Sequence, residues 1–209
     1  MERRLLDNDV VLKLGQYDLL DELLALTKGP GPIRILPTLR YRFRLESPAK
    51  AIKIIRDSSA VVRIKAFVAN VAELEDEPSA DLVALLEDTP QLDPGEVVLF
   101  ATAAGDSTSL TYTGDKRAIT ALVSTASGKG IADRLHGRIK CLEQLVAEMI
   151  LGENAAIVIE KLRGKQWDTA LRLCSSTGSI PETLSALGSY YADLNSACNS
   201  LLAPFPHSG

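Results

Sequence analysis

Apolar residues recur along this chain with two different periods. The run Arg4-Leu5-Leu6-Asp7-Asn8-Asp9-Val10-Val11-Leu12 opens apolar, and its β-branched Val10-Val11 pair predicts a buried strand carrying Asp7 and Asp9. Residues 17–26 have leucines at 19, 20, 23, 24 and 26, which predicts a helix that stops before Gly29-Pro30-Gly31-Pro32. Ile33 to Leu36 predicts a second short strand. Ser47-Pro48 has an N-cap residue followed by proline at the first helical position, so it opens a helix to about Arg56. Helices are then predicted over 61–77 and 79–87. Asp93-Pro94-Gly95-Glu96 opens another over 97–104, whose small and apolar residues all round predict deep burial. Leu110 to Thr113 reads as a strand that turns at Gly114-Asp115 into a helix over 116–123. A last strand is predicted over 137–142, followed by a helix over 143–151.

Alternating strands and helices over residues 1–151 predict an α/β unit with a parallel sheet covered on both faces. From Asn154 to Ala203 the pattern is helical, interrupted at Gly164, at 175–178 and near Pro204, so residues 152–209 form a helical extension packed on that unit.

Composition narrows the chemistry. The chain has 209 residues and two histidines, His136 and His207. That excludes a zinc site built on several histidines, and a Ser–His–Asp triad could draw only on His136. Three widely spaced cysteines (Cys141, Cys174, Cys198) read as reduced, buried thiols of a cytoplasmic protein. No run approaches the ~20 apolar residues of a membrane span. Charge is segregated, although the net is only -4. Residues 34–65 hold nine bases (Arg34, Arg40, Arg42, Arg44, Lys50, Lys53, Arg56, Arg63, Lys65) against two acids, whereas 71–96 hold nine acids and no base. The pattern suits two solvated faces that attract each other, or a basic surface that steers a polyanion toward an acidic centre.

In a doubly wound sheet, functional groups collect at the carboxyl ends of the strands. Asp7, Glu96 and Asp115 all stand at such junctions. Carboxylates that converge repel one another, and a hard divalent cation removes that cost; all-oxygen ligation suits Mg²⁺ or Mn²⁺. Capping is the competing reading. Asp93 fits an N-cap, Glu96 at N3 can fold back on it, and Asp115 can cap the helix that follows.

These residues resemble the PIN-domain ribonucleases. Leu5 to Leu12, with Tyr17-Asp18-Leu19-Leu20 after it, looks like their opening strand and first helix. Leu92-Asp93-Pro94-Gly95-Glu96 is similar to the Gly-Glu helix of some subfamilies, and Tyr112-Thr113-Gly114-Asp115 to their acidic strand end. The resemblance covers roughly residues 3–151 and implies a PIN-like three-layer fold with a central, mostly parallel sheet. It also implies an Mg²⁺- or Mn²⁺-dependent endoribonuclease, with a toxin or defence effector as one setting. Asp7, Glu96 and Asp115 would be its catalytic, metal-ligating acids, with Asp9 and Glu46 as further candidates. Arg40, Arg42, Arg44 and Lys116 are the candidates for holding RNA. The chain departs from the family pattern where another acid follows the second strand: Arg40 or Arg42 falls there, and Glu46 replaces the acid only if the register shifts by a helical turn.

Two other readings stay open. A non-catalytic PIN-like module would bind a protein partner through the C-terminal helices, and a homo-oligomer is a further partner expectation. Asp7-Asn8-Asp9 also fits the paired aspartates of haloacid-dehalogenase-type phosphatases, although Ile119 stands where that family wants a second acid.

Overall fold

The computed structural model describes residues 3–26, 32–176 and 179–206. The Gly29–Gly31 break, Gly178 and His207 lie outside the described residues. The elements follow in the order β1 (Arg3–Leu6), α1 (Asn8–Tyr17), α2 (Leu20–Leu26), β2 (Ile33–Ile35), α3 (Leu39–Arg42), α4 (Pro48–Ile55), α5 (Ser58–Asn70) and β3 (Ala72–Glu73). Then come α6 (Ala80–Glu87), α7 (Pro94–Gly105), β4 (Ser109–Thr113), α8 (Lys116–Ser124), α9 (Ala126–Leu135), β5 (Ile139–Cys141) and α10 (Leu142–Leu151). The C-terminal part is α11 (Ala155–Leu162), α12 (Thr169–Cys174) and α13 (Ile180–Ala197).

All strand pairs are parallel, and the sheet order is β3-β2-β1-β4-β5. This is an α/β fold in three layers. Alternation along the strands assigns the faces. Leu6, level with Ile35 and Tyr112, faces the core under α1, α5 and α10. Leu5, level with Thr111, faces the opposite core under α7, α8 and α9. Residues of the C-terminal extension enter both cores: Leu171, Cys174 and Leu187 the first, Leu194 with Cys198 and Leu202 of the segment after α13 the second. The three cysteines are free and buried. Among the described residues no helix is long and apolar enough to cross a membrane.

Three expectations need correcting. The first strand ends at Leu6 rather than Leu12, so Asp9, Val10 and Val11 lie on α1; the valines are buried there on a helical face. Helix 61–77 is instead α5 followed by the two-residue β3, and Leu74 accounts for the false continuation because it is buried in the second core. The stretch 126–135, with two glycines and no predicted element, is α9, started by the Thr125 hydroxyl accepting from Gly128 N–H at 3.0 Å.

Candidate functional site

The chain runs from β1 outward to β2 and β3 on one side, then returns to place β4 and β5 on the other. The direction therefore reverses between β1 and β4, the point at which sheets of this kind form a ligand crevice outside their carboxyl ends. Asp7 leaves β1 into that crevice. Its N–H donates to Tyr112 O at 2.9 Å, so the first strand stays registered on β4 to its last residue. Asp7 occupies the N-cap position of α1, yet its side chain makes no capping bond. Instead its Oδ2 accepts from the Thr113 hydroxyl of β4 at 3.2 Å. Thr113 Oγ1 in turn accepts from Asp115 N–H at 3.2 Å, so one hydroxyl, 106 positions from Asp7, links the first and last acids.

Asp9 follows on the first turn of α1. The turn after β4 comes close to it: a Cβ on Gly114 would meet Asp9 Oδ2 at 2.5 Å, so a larger residue there would displace the Asp9 carboxylate. Asp115 caps α8, accepting from Arg117 N–H at 2.8 Å and Ala118 N–H at 3.3 Å, and pairs with the Arg117 guanidinium at 3.0 Å. From the other side, α7 points its N-terminus at the crevice. Asp93 and Glu96 form a reciprocal capping box: Glu96 N–H donates to Asp93 Oδ1 at 2.9 Å, and Asp93 N–H to Glu96 Oε2 at 2.7 Å. Both capping expectations are met here.

The electrostatics follow from this crowding. Burial, and then the neighbouring Asp9, push the Asp7 carboxyl up to about 6. Glu96, 5% exposed, is pushed up to about 7 by burial, with Asp93, Asp7 and Asp115 adding repulsion against the hydrogen bond from Asp93 N–H. Asp9 is also raised, mainly by burial. Asp93 and Asp115 go the other way. Burial would raise each, but the hydrogen bonds from Arg42 to Asp93 and from Arg117 to Asp115 hold both below the usual carboxylate range. Asn8, beside Asp7, is 1% exposed, and its Oδ1 has no hydrogen-bond partner among the described residues.

The remaining candidates divide. Arg42 reaches the crevice and bonds Asp93 Oδ2 at 2.6 Å, with Asp7 and Glu96 adding to its field. Arg40 is held by Glu73 at 2.9 Å and by Val68 O, at the β3 side. Arg44 is exposed on a turn with φ 52°. Lys116 is committed to the buried Glu143 and lies over the Tyr190 ring. Glu46 is exposed on the turn before α4, and the strongest fields on Asp7, Asp9 and Glu96 come from other groups.

Sequence reasoning missed Thr113 and Asn8, although both are polar residues within two positions of an acid at a strand end. It also missed Asp168, whose charge reaches Asp9 and whose Oδ2 lies 3.7 Å from Lys13 Nζ on α1. No signal in the local sequence ties a residue of the extension to the first helix.

Comparison with known proteins finds no family model, no curated protein and no solved structure that matches this chain.

By donor chemistry the crevice fits a hard divalent cation: two buried carboxyls of raised proton affinity stand beside an unpartnered buried amide oxygen. Convergence is incomplete, however. Among the described residues no three Asp, Glu, His or Cys side chains come close enough together to hold an ion. The Glu96 carboxylate is folded onto the Asp93 N–H, Asp115 is turned to Arg117, and Asp93 to Arg42.

Proposed function

We propose that this chain is a PIN-like endoribonuclease that hydrolyses RNA phosphodiesters with Mg²⁺ or Mn²⁺. One observation carries the reading: acids just past β1, at the start of α7 and just past β4 lie within one another's fields at the reversal point of the sheet, and burial there raises the Asp7 and Glu96 carboxyls. A cation would be held by Asp7 and Glu96, with Asp9 and Asp115 at its margin. When bound it supplies a polarised phosphate and a water acidified for in-line attack. The chain's own residues set the stage for that step. Thr113 fixes the Asp7 carboxylate, the capping box fixes the start of α7, and Arg42 places a guanidinium where a phosphate enters.

The test is cleavage of labelled RNA with Mn²⁺ or Mg²⁺. Asp7→Asn is expected to lower the rate by roughly 100-fold or more, the scale on which losing one electrostatic partner of a reacting centre acts. Asp115→Asn is expected to act in the same direction. Equal rates in the three proteins would reject the assignment.

A second reading draws support from Arg42, which already supplies a positive charge to the crevice, and from the exposed Ile157, Leu173 and Ile180 of the extension. In it the chain is a non-catalytic interaction module that binds a protein partner or a second copy through those helices. Calorimetry separates the two: no heat of Mn²⁺ binding to a folded chain favours the module.

A further inference from the structure

The turn after β2 presents three consecutive side chains, each in its own way. Leu39 and Phe43 are buried at 0% and 2% exposure and clamp α3 to the core four positions apart. Tyr41, midway between them at about 200° around the helix from Leu39, must face outward. It does: at 76% it is the most exposed large hydrophobic side chain among the described residues. Its neighbours are fixed on either side, Arg40 to Glu73 and Arg42 to Asp93 at the acidic crevice. The ring is therefore a rigidly mounted, open π-face beside the proposed reaction centre.

Beyond it the chain adds positive charge. Arg44, Lys50, Lys53 and Arg56 are exposed, and no ion pair engages them among the described residues. Three of the four lie on or cap α4, an eight-residue helix about 12 Å long. An aromatic face followed by a row of unpaired cations matches a strand that offers unstacked bases and phosphates together.

We infer that α3 and α4 form a single-stranded RNA docking arm, in which a base stacks on Tyr41 and the adjoining phosphates follow Arg44, Lys50 and Lys53. The arm rests on the nuclease reading only for its effect on cleavage, because binding needs none of the crevice acids. It would fix which bond of the strand lies over Asp7.

Binding is measured on the full chain by fluorescence anisotropy with a short labelled homopolymeric RNA, single-stranded or annealed to its complement, with EDTA present so that nothing is cut. The single strand is expected to bind more tightly than the duplex. Tyr41→Ala should weaken single-strand binding about 5-fold or more, and Tyr41→Phe should stay within about 2-fold of the native chain, since phenylalanine keeps the ring. Lys50→Ala with Lys53→Ala should flatten the slope of log affinity against log salt by about 1.4, while Tyr41→Ala leaves the slope unchanged. The inference is overturned if Tyr41→Ala binds like the native chain, if Tyr41→Phe loses as much as Tyr41→Ala, or if duplex binds as well as single strand. It is also overturned if the arm variants impair binding to anionic lipid vesicles and spare RNA, since Ile52 and Ile54 are exposed on the same helix. Loss of cleavage plays no part in these outcomes, so unchanged cleavage by Asp7→Asn would remove the nuclease reading and leave the arm standing.

Discussion

Asp7 is an acid at a helix N-cap that does not cap. Most aspartates at such positions satisfy the first N–H groups of the helix, as Asp57, Asp93, Asp115 and Asp168 do in this chain. Asp7 instead lies buried against Thr113, with Asp9 close by and no ion pair on its carboxylate among the described residues. Its pKa in the folded chain, about 6, stands above the ordinary value of 3.8. The folded chain therefore binds the proton more tightly than the unfolded one. The stability that the protonated form provides is complete below about pH 4 and is lost as pH rises through about 6. At pH 8 the ionised carboxylate is a net cost, so Asp7→Asn should stabilise the chain there, by on the order of 2 kcal/mol in urea unfolding, and should stabilise it least near pH 4. A variant less stable than the native chain at pH 8 would mean that the carboxylate is satisfied as an anion. Added Mn²⁺ should raise the stability of the native chain at pH 8 and leave Asp7→Asn nearly unmoved, because an ion that binds only the folded state stabilises it by mass action.

Packing between elements turns on two glycines that the sequence pattern treats alike. Gly15 lies on α1 where it crosses α5, and a Cβ there would meet Ile64 Cγ1 at 2.6 Å. Gly130 lies on α9 with nothing within 4 Å of the same position. Gly15→Ala should cost about 1–3 kcal/mol as an overpacked contact, whereas Gly130→Ala should gain about 0.5–1 kcal/mol from helix propensity. Thermal melts of the two variants check this, and shifts of the same sign would contradict the packing described. The glycines also mark where sequence pattern stops informing. Period and capping located α4, α6, α8 and α10 within a residue or two, and Asp93-Pro94 marked the start of α7; α4, α6 and α8 each begin behind a polar N-cap residue, Ser47, Ser79 and Asp115. They failed at the end of β1, where Val10 and Val11 are buried in either a strand or a helix, so burial alone cannot choose. They failed again at β3, whose two residues give no period at all. The acids at the strand ends were legible because a parallel sheet delivers its carboxyl ends to one side. Their caps and the Arg42 bridge were legible only in part: a cap is set by residues three apart, but Arg42 and Asp93 are joined across 51 positions by the fold.

At the scale of the molecule, the C-terminal helices are as much core as covering. Leu187 of α13 lies in one core and Leu194 in the other, so this helix passes from one face of the sheet to the other beside β5. The segment after it shields that edge strand. Ala203 N–H donates to Ile139 O at 2.8 Å, Gly137 N–H to Leu201 O at 3.0 Å, and Gln144 Nε2 to Ala203 O at 2.7 Å, which leaves β5 less open to pairing with another chain. The loop before α12 is tied to α1 as well: Lys13 Nζ donates to Trp167 O at 2.6 Å, and Tyr17 Oη accepts from Asp168 N–H at 3.0 Å. An extension that shares both cores and is bonded to the first helix should not unfold by itself. Trp167, the only tryptophan in the chain, reports on that loop, whereas far-ultraviolet circular dichroism reports on all the helices. The two signals should therefore give one coincident urea transition, as a single cooperative unit requires. Fluorescence that changes at clearly lower urea than the dichroism would mean that the extension detaches first, and that the wall it forms beside Asp9 opens independently of the sheet.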